Sequence, residues 1–404
     1  MSTSLLYHGF GIVGYRYVRS RYEHGTIIFT IDQDPSTLTC PVCERREVIR
    51  KGKIPRRFMT VPIGGKSVFI DFAVQRIKCL VCGVVRQVKI RFADQHKRFT
   101  KQFERYVLGL CQKMTMLDVA GHLRVSWDVV KDIQKRYLKK KFSHPRLKDL
   151  KRIAIDEITM GHGHSYLTVV LDLDSGAVVF VGDGKGTAAL EPFWKRLRYS
   201  GAVVEAVAID MSPAYISAVS SHLPQAQIVF DHFHVIKYFN DKLSDLRRDL
   251  YREATDLLEK NVLKGTRWLL LKNPENLDPD RNERERLEEA LRINKPLATA
   301  YYMKEDLRLL WSQPDKKTAI AHLADWIARA ESAGINMLKR FAKTLRAHRS
   351  GILAYYNYRI STGPLEGTNN KIKTMQRQAY GFRDKQFFML KIYSLHSTRY
   401  ALVG

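Results

Sequence analysis

The sequence predicts a multidomain chain of mixed α+β and α/β type. A small cysteine-bearing β module and a helix pair precede a larger α/β core that helices interrupt. Three observations predict this. Two Cys-x-x-Cys pairs lie within the first 82 residues, and a helix–turn–helix pattern follows between Thr115 and Lys141. From Lys151 onward, apolar runs are ordered βββαβαβ before helical periodicity takes over. A length of 404 residues suits about two to four domains.

Charge narrows the partners. Lys and Arg number 68 against 41 Asp and Glu, a net +27, and residues 1–150 alone hold 30 against 12, net +18. Such an excess attracts polyanions, nucleic acid first, and its bias to the front points to a DNA-reading module ahead of a more balanced domain. No apolar run reaches the roughly 20 residues of a membrane span, and the start has no secretory pattern. A cytoplasmic, nucleoid-associated protein with no membrane partner is expected. No repeat of 20–50 residues is visible, which excludes a solenoid.

The first module follows from four of the five cysteines. Cys40 and Cys43 bracket Pro-Val; after 35 residues, Cys79 and Cys82 bracket Leu-Val. Each pair presents two thiolates from one tight turn, and two pairs complete a tetrahedral Zn²⁺ shell. Hairpin-like alternation around Gly64-Gly65 links them, as in a zinc ribbon. Two disulfides or a redox pair are the alternatives; a basic intracellular chain disfavours the first and duplication the second. Cys111 falls on an apolar helix face with Phe103, Tyr106, Val107 and Leu110. Residues 1–92 are expected to form this domain.

Residues 93–148 read as the helix-turn-helix. A helix from Thr115 to Leu123, a turn at Arg124-Val125 and an N-cap at Ser126 precede a basic helix with Lys131, Lys135, Arg136 and Lys139 to Lys141. Arg124, Ser126, Lys131, Lys135 and Arg136 are the DNA-binding candidates there.

The core follows. RIAIDEI, SYLTVVLDLD and AVVFVGDGK read as strands, then a helix from about Thr187 to Tyr199, the strand VEAVAID, a helix from Pro213 to His222, and the strand QIVFDHF. Three antiparallel strands followed by αβ units describe a ribonuclease H-like core, expected over 149–234 and 351–404. Residues 235–350 are helical in periodicity, with Leu243, Leu246 and Leu250, then Leu323, Trp326, Ile327 and Ala330, on apolar faces. A last helix begins near Gly363-Pro364.

A core of this kind performs phosphoryl chemistry with divalent ions held by carboxylates, and oxygen-only ligands suit Mg²⁺, or Mn²⁺ in its place. Asp156 is expected to end the first core strand and Asp210 the fourth. If those strands are neighbours, both carboxylates emerge at one end. Glu366 in the last helix is the third candidate; Asn369, Asn370, Lys373 and Arg377 follow it at helical spacing as a DNA-facing surface. Glu157, Asp172, Asp174 and Asp183 compete, with Asp172 and Asp174 read as turn residues. Asp231 could replace Asp210, and His234 could contact phosphate or position a nucleophile.

These residues resemble the bacterial insertion-sequence transposases of the ISL-three family over nearly the whole chain. CPVC and CLVCG carry the likeness in front; AIDEI, AIDMSPAY, QIVFDHFHVIK and STGPLEGTNNKIK carry it behind, the last two most specifically. The resemblance implies that Asp156, Asp210 and Glu366 form the acidic triad of a DDE transposase, that Asp231 and His234 form its Asp-x-x-His element, and that 235–350 is a helical insertion. It implies binding to terminal inverted repeats, Mg²⁺-dependent cleavage and transfer to target DNA, and a homodimer joining two ends. A zinc-dependent DNA-binding regulator with an inert core, and a nuclease without strand transfer, are the rival readings.

Overall fold

The computed structural model describes residues 5–160 and 165–396, without the side chains of 258–259. Residues 397–404, the tail of the expected catalytic segment, lie outside the described residues. The chain divides into two compact units, Met1–Ser143 and His144–Gly404.

In the first unit, α1 (Leu5–His8), β1 (Tyr15–Glu23) and β2 (Thr26–Gln33) precede the hairpin of β3 (Val48–Ile63) and β4 (Lys66–Cys79), and β5 (Val85–Gln87) follows. The sheet order is β1-β2-β4-β3, with β5 on β4. Gly64 and Gly65 turn the hairpin at φ +54° and +77°, a left-handed pair that suits glycine. Phe58, Val68, Ile70 and Val74 are fully buried along it. Then come α2 (Lys101–Leu110), α3 (Met116–Leu123) and α4 (Trp127–Phe142). Thr100, Thr115 and Ser126 cap these helices, each hydroxyl accepting from the backbone N–H three residues on. Met59 and Phe69 of the hairpin pack with Phe103, Val107, Val119 and Val130 of the helices, so ribbon and helix pair share one unit.

The second unit is built on a mixed five-stranded sheet. Its strands are β6 (Arg152–Thr159), β7 (Tyr166–Asp172), β8 (Val178–Asp183), β9 (Ala206–Ile209) and β10 (Gln227–Phe230), in the order β10-β9-β6-β7-β8. β6, β7 and β8 pair antiparallel, and β6, β9 and β10 pair parallel. α5 (Thr187–Ser200) and α6 (Pro213–His222) supply the crossovers, at the positions the sequence indicates. Phe193, Trp194, Leu197 and Val219 pack with Ile153, Ile155, Val207 and Ile209 on one sheet face.

α7 (His232–Glu253) leaves the end of β10 directly. α8 (Leu257–Gly265), α9 (Arg267–Leu271), α10 (Glu283–Ile293), α11 (Lys295–Arg308), α12 (Lys316–Ser332), α13 (Asn336–Ala347), α14 (Arg349–Leu353) and α15 (Tyr355–Tyr358) follow. Phe239, Trp326, Phe341 and Leu345 of this segment join the same apolar core as the sheet. Gly351 lies so close to the Phe230 ring that a Cβ there would sit 2.5 Å from it. α16 (Gly363–Gln378) packs on β6, and α17 (Lys385–Tyr393) packs on β8.

Candidate active site and zinc centre

The four paired cysteines converge. The Sγ atoms of Cys40 and Cys82 are 3.6 Å apart, those of Cys43 and Cys79 are 3.5 Å apart, and all four lie within 4.8 Å of one another. Four sulfurs at about 2.3 Å from a tetrahedral Zn²⁺ would be about 3.8 Å apart, so the spacing fits that ion. None is in a disulfide. The hairpin explains the long interval: β3 leaves the first knuckle, β4 returns, and Val48 pairs with Cys79. Burial opposes ionisation of Cys40, but N–H donors of Cys43 and Val42 outweigh it and hold the thiol down to about 6, while burial and the neighbouring sulfurs push Cys43 up. Among the described residues, this is the one set of His, Cys, Asp and Glu groups that closes to metal-ligand spacing.

In the same unit, Arg124 makes the turn between α3 and α4 with φ +53°, exposed. Ser126 is exposed, and the Lys131 ammonium stands 5.2 Å from the Trp127 ring centre. Lys135 is half-buried. Arg136 is committed within the protein: it donates to Glu104 at 2.8 Å and to Asp132 at 3.0 Å, tying α4 to α2.

In the second unit, β6 and β9 are neighbours. Their ladder ends at the pair Ala154–Ala208, and Asp156 and Asp210 each lie two residues further on. Equal offsets in a parallel pair put both carboxylates at the same end and on the same face. Asp156 does not end its strand, however. β6 runs on to Thr159 along its other edge, where Ile158 and Thr159 pair with Leu167 and Tyr166. The site therefore sits where one edge of β6 is released and the other is still held. The Asp156 carboxyl is pushed above the usual carboxylate range by burial first; the Asp210 and Glu157 charges add to this, while the Glu157 N–H and His234 oppose it.

Asn369 of α16 donates its amide N–H to Asp156 Oδ2 at 2.7 Å. It is only 6 % exposed and so is not part of the DNA-facing surface expected for it, whereas Asn370, Lys373 and Arg377 are exposed. Glu366, one turn earlier, is exposed. Asp210 accepts from Ser212 N at 3.0 Å and opens onto a cavity of about 450 Å³ lined also by His234, Lys237, Tyr238, Asp241 and His348. Lys237 and His348 escaped the sequence reading. Lys237 lies three residues beyond His234, a helical-neighbour signal that was there to be used; His348 carries none.

Asp231 is 2 % exposed and does not line that cavity. Its Oδ2 accepts from Thr362 Oγ1 at 2.5 Å, which ties the end of β10 to the start of α16. Thr362→Val should leave a buried carboxylate without its donor and lower stability by about 1–3 kcal/mol; an unchanged urea midpoint would show that the tie carries no load. Glu157, on the opposite face, accepts from Tyr215 Oη at 2.6 Å. Asp172 accepts from the backbone of Asp174 and Ser175, a turn role, while Asp174 pairs with Arg152 and Asp183 with Lys385.

A basic cysteine-knuckle and helix-turn-helix unit, followed by an α/β unit with paired carboxylates, is the layout of a DNA transposase. Family models agree along the chain: one described as a transposase matches residues 153–392, the helix-turn-helix domain of transposase family ISL3 matches 88–138, and the zinc-finger of transposase IS204/IS1001/IS1096/IS1165 matches 36–82. The chain is 34 % identical over 340 residues to the transposase for insertion sequence element IS1001 of Bordetella parapertussis, covering 83 % of each. It is 29 % identical over 355 residues to the transposase for IS1557 of Mycobacterium tuberculosis, covering 82 % of this chain and 79 % of that one. A Drosophila P element transposase strand transfer complex aligns at 12 % identity with a TM-score of 0.39, over 76 % of this chain and 94 % of that one, too slight a likeness to bear on the fold. The chain belongs to the ISL3 family of insertion-sequence transposases. No described helix is long and apolar enough to cross a membrane.

Proposed function

We propose that this transposase cleaves the ends of its element and joins them to target DNA by metal-assisted phosphoryl transfer at Asp156, Asp210 and Glu366. The observation that carries the reading is the matched offset of Asp156 and Asp210 beyond the β6–β9 ladder, with Asn369 bringing the Glu366-bearing helix onto Asp156. The strand order and the βββαβαβ sequence support a ribonuclease H-like core over 149–234 and 351–404, with 235–350 as its helical insertion. The carboxylates of Asp156, Asp210 and Glu366 are hard oxygen donors of the kind that Mg²⁺ or Mn²⁺ takes, and the buried, unpartnered amide oxygen of Asn369 next to Asp156 suits a hydrated cation. Divalent ions there would polarise the scissile phosphate and make water a stronger nucleophile.

The chain's own groups do the positioning. Asp156 and Asp210 would hold the ions, with Glu366 as third ligand. Lys237 offers positive charge, and His234 a ring nitrogen, to a phosphate in the cavity beside Asp210. Asp231 serves through Thr362 by fixing the start of α16. Water frees a 3′-hydroxyl at the element end; that hydroxyl attacks a target phosphodiester, and the target 3′-oxygen leaves. Residues 1–92, with zinc in the ribbon, and 93–148 bind the terminal inverted repeats, and a homodimer brings two ends together. On α16, Asn370, Lys373 and Arg377 meet the DNA backbone.

The test is a duplex carrying one element end, incubated with protein and Mg²⁺, alongside pre-cut ends offered with a plasmid target. The expected result is nicking at the end and joining of the pre-cut strand. Cleavage without joining identifies a nuclease; salt-sensitive binding without cleavage identifies a regulator. Arg124→Gly separates grip from fold: glycine relieves the left-handed turn, so Tm holds or rises, while end-DNA affinity falls and its salt slope loses about one phosphate contact. Unchanged affinity would remove Arg124 from the interface.

A further inference from the structure

We propose that Asn369 is a positioning residue for the divalent cation at Asp156: its amide nitrogen holds the carboxylate, and its amide oxygen accepts a hydrogen bond from the ion's water shell. The inference rests on the metal reading given above and deepens it. Nothing in the position of Asn369 on a DNA-facing helix demands it, because the side chain is buried and turned inward.

Two observations carry it. Asn369 Nδ2 lies 2.7 Å from Asp156 Oδ2. Asn369 Oδ1 is buried with no hydrogen-bond partner among the described residues. The first settles the orientation of the amide, since only the nitrogen can donate to a carboxylate. The oxygen is therefore the end left over, and a buried acceptor without a donor is uncommon in folded proteins. Leu365 and Ile372 on the same helix show that apolar side chains fill the inward face readily. An amide kept among them, half satisfied, suits a donor that arrives with a ligand.

Asp156 is prepared in the same sense. Its Oδ1 accepts from Glu157 N at 2.8 Å and its Oδ2 from Asn369, so each oxygen is fixed and keeps a further lone pair. Mg²⁺ retains several of its waters when carboxylates bind it, and such a water is the donor that the Asn369 oxygen lacks. The spacing in the sequence has the same logic. Glu366 and Asn369 are three residues apart, so one helix turn brings a candidate ligand and a candidate orienting amide to neighbouring positions on α16.

The experiment titrates Mn²⁺ into the full-length, zinc-loaded protein without DNA, by calorimetry, for wild type, Asn369→Ala and Asp156→Ala. Melting temperature and zinc content report the fold. Asn369→Ala is expected to weaken Mn²⁺ binding about 10–100-fold, with the fold and zinc content retained and Tm in the absence of Mn²⁺ lowered only by the loss of one donor to Asp156, and Asp156→Ala is expected to abolish Mn²⁺ binding. If Asn369→Ala fails to fold, Asn369→Ser, which keeps a small polar group in place, is expected to show the same weakening. Wild-type Mn²⁺ affinity in the Asn369 variant, with binding lost in Asp156→Ala, overturns the role of Asn369 and leaves the metal reading standing. Wild-type affinity in Asp156→Ala overturns both.

Discussion

Asp210→Ala is expected to reduce Mg²⁺-dependent cleavage of element-end DNA by on the order of 10³-fold or more, while leaving DNA affinity and folding intact. A single oriented group that stabilises transition-state charge is worth about 10²–10³ in rate, and a metal ligand is asked for at least that. The structure makes Asp210 a cleaner probe than Asp156. Asp210 accepts one backbone bond, from Ser212, and stands in the open cavity, so its removal strands no buried donor. Asp156→Ala also leaves the Asn369 amide without its acceptor. The Asp210 charge raises the Asp156 pKa, after burial, so alanine at 210 also removes a repulsion. Tm should therefore hold or rise as cleavage disappears. Glu366→Ala should match it in rate as the third proposed ligand, and should leave stability intact because Glu366 is exposed. Cleavage that survives both substitutions, measured on gels at saturating Mg²⁺, would falsify the triad.

The second large effect is expected at the other end of the chain. Cys40→Ser should drop zinc from one per chain to near zero and unravel the knuckle half of the β3–β4 hairpin. Zinc binding in such modules is worth about 10–16 kcal/mol at neutral pH and is folding free energy. The effect should be local. The stretch of β3 from Ile49 to Pro55 is exposed along its whole length, so little apolar burial holds it once the metal is gone. Beyond it, Phe58, Val68 and Ile70 are fully buried, and Met59 packs on the helices, which should preserve that end of the hairpin. The second unit has its own core and should keep its protection. Limited proteolysis would read this as new cuts between about Cys40 and Lys53 with fragments from His144 onward intact. A zinc-free variant that resists cleavage there would show that the ribbon stands without its ion.

How much of this was legible before the fold was known varies by residue. The zinc ligands were fully legible, because two Cys-x-x-Cys turns admit few other uses and their partners are named by type. The cap at Ser126, the start of α16 at Gly363 and the β6–β10 series were legible from local chemistry: a capping hydroxyl, a first-turn proline, or a run of β-branched residues acts within one turn or strand. The ion pair of Arg136 with Glu104, 32 residues away in sequence, was not legible, because no helical spacing connects the two.

By itself, then, the sequence determined the elements, their order, the cysteine set and the candidate carboxylates, all of which depend on neighbours a few residues apart or on residue type. Only the tertiary structure decided which side chains meet. It put Asp156 and Asp210 in register across a parallel pair formed by strands about 50 residues apart, turned Asn369 inward onto Asp156 across 213 residues of chain, and committed Asp231 to Thr362 across 131. Those pairings follow from strand order and from the face each helix buries, quantities set by the packing of the whole unit and carried by no local pattern.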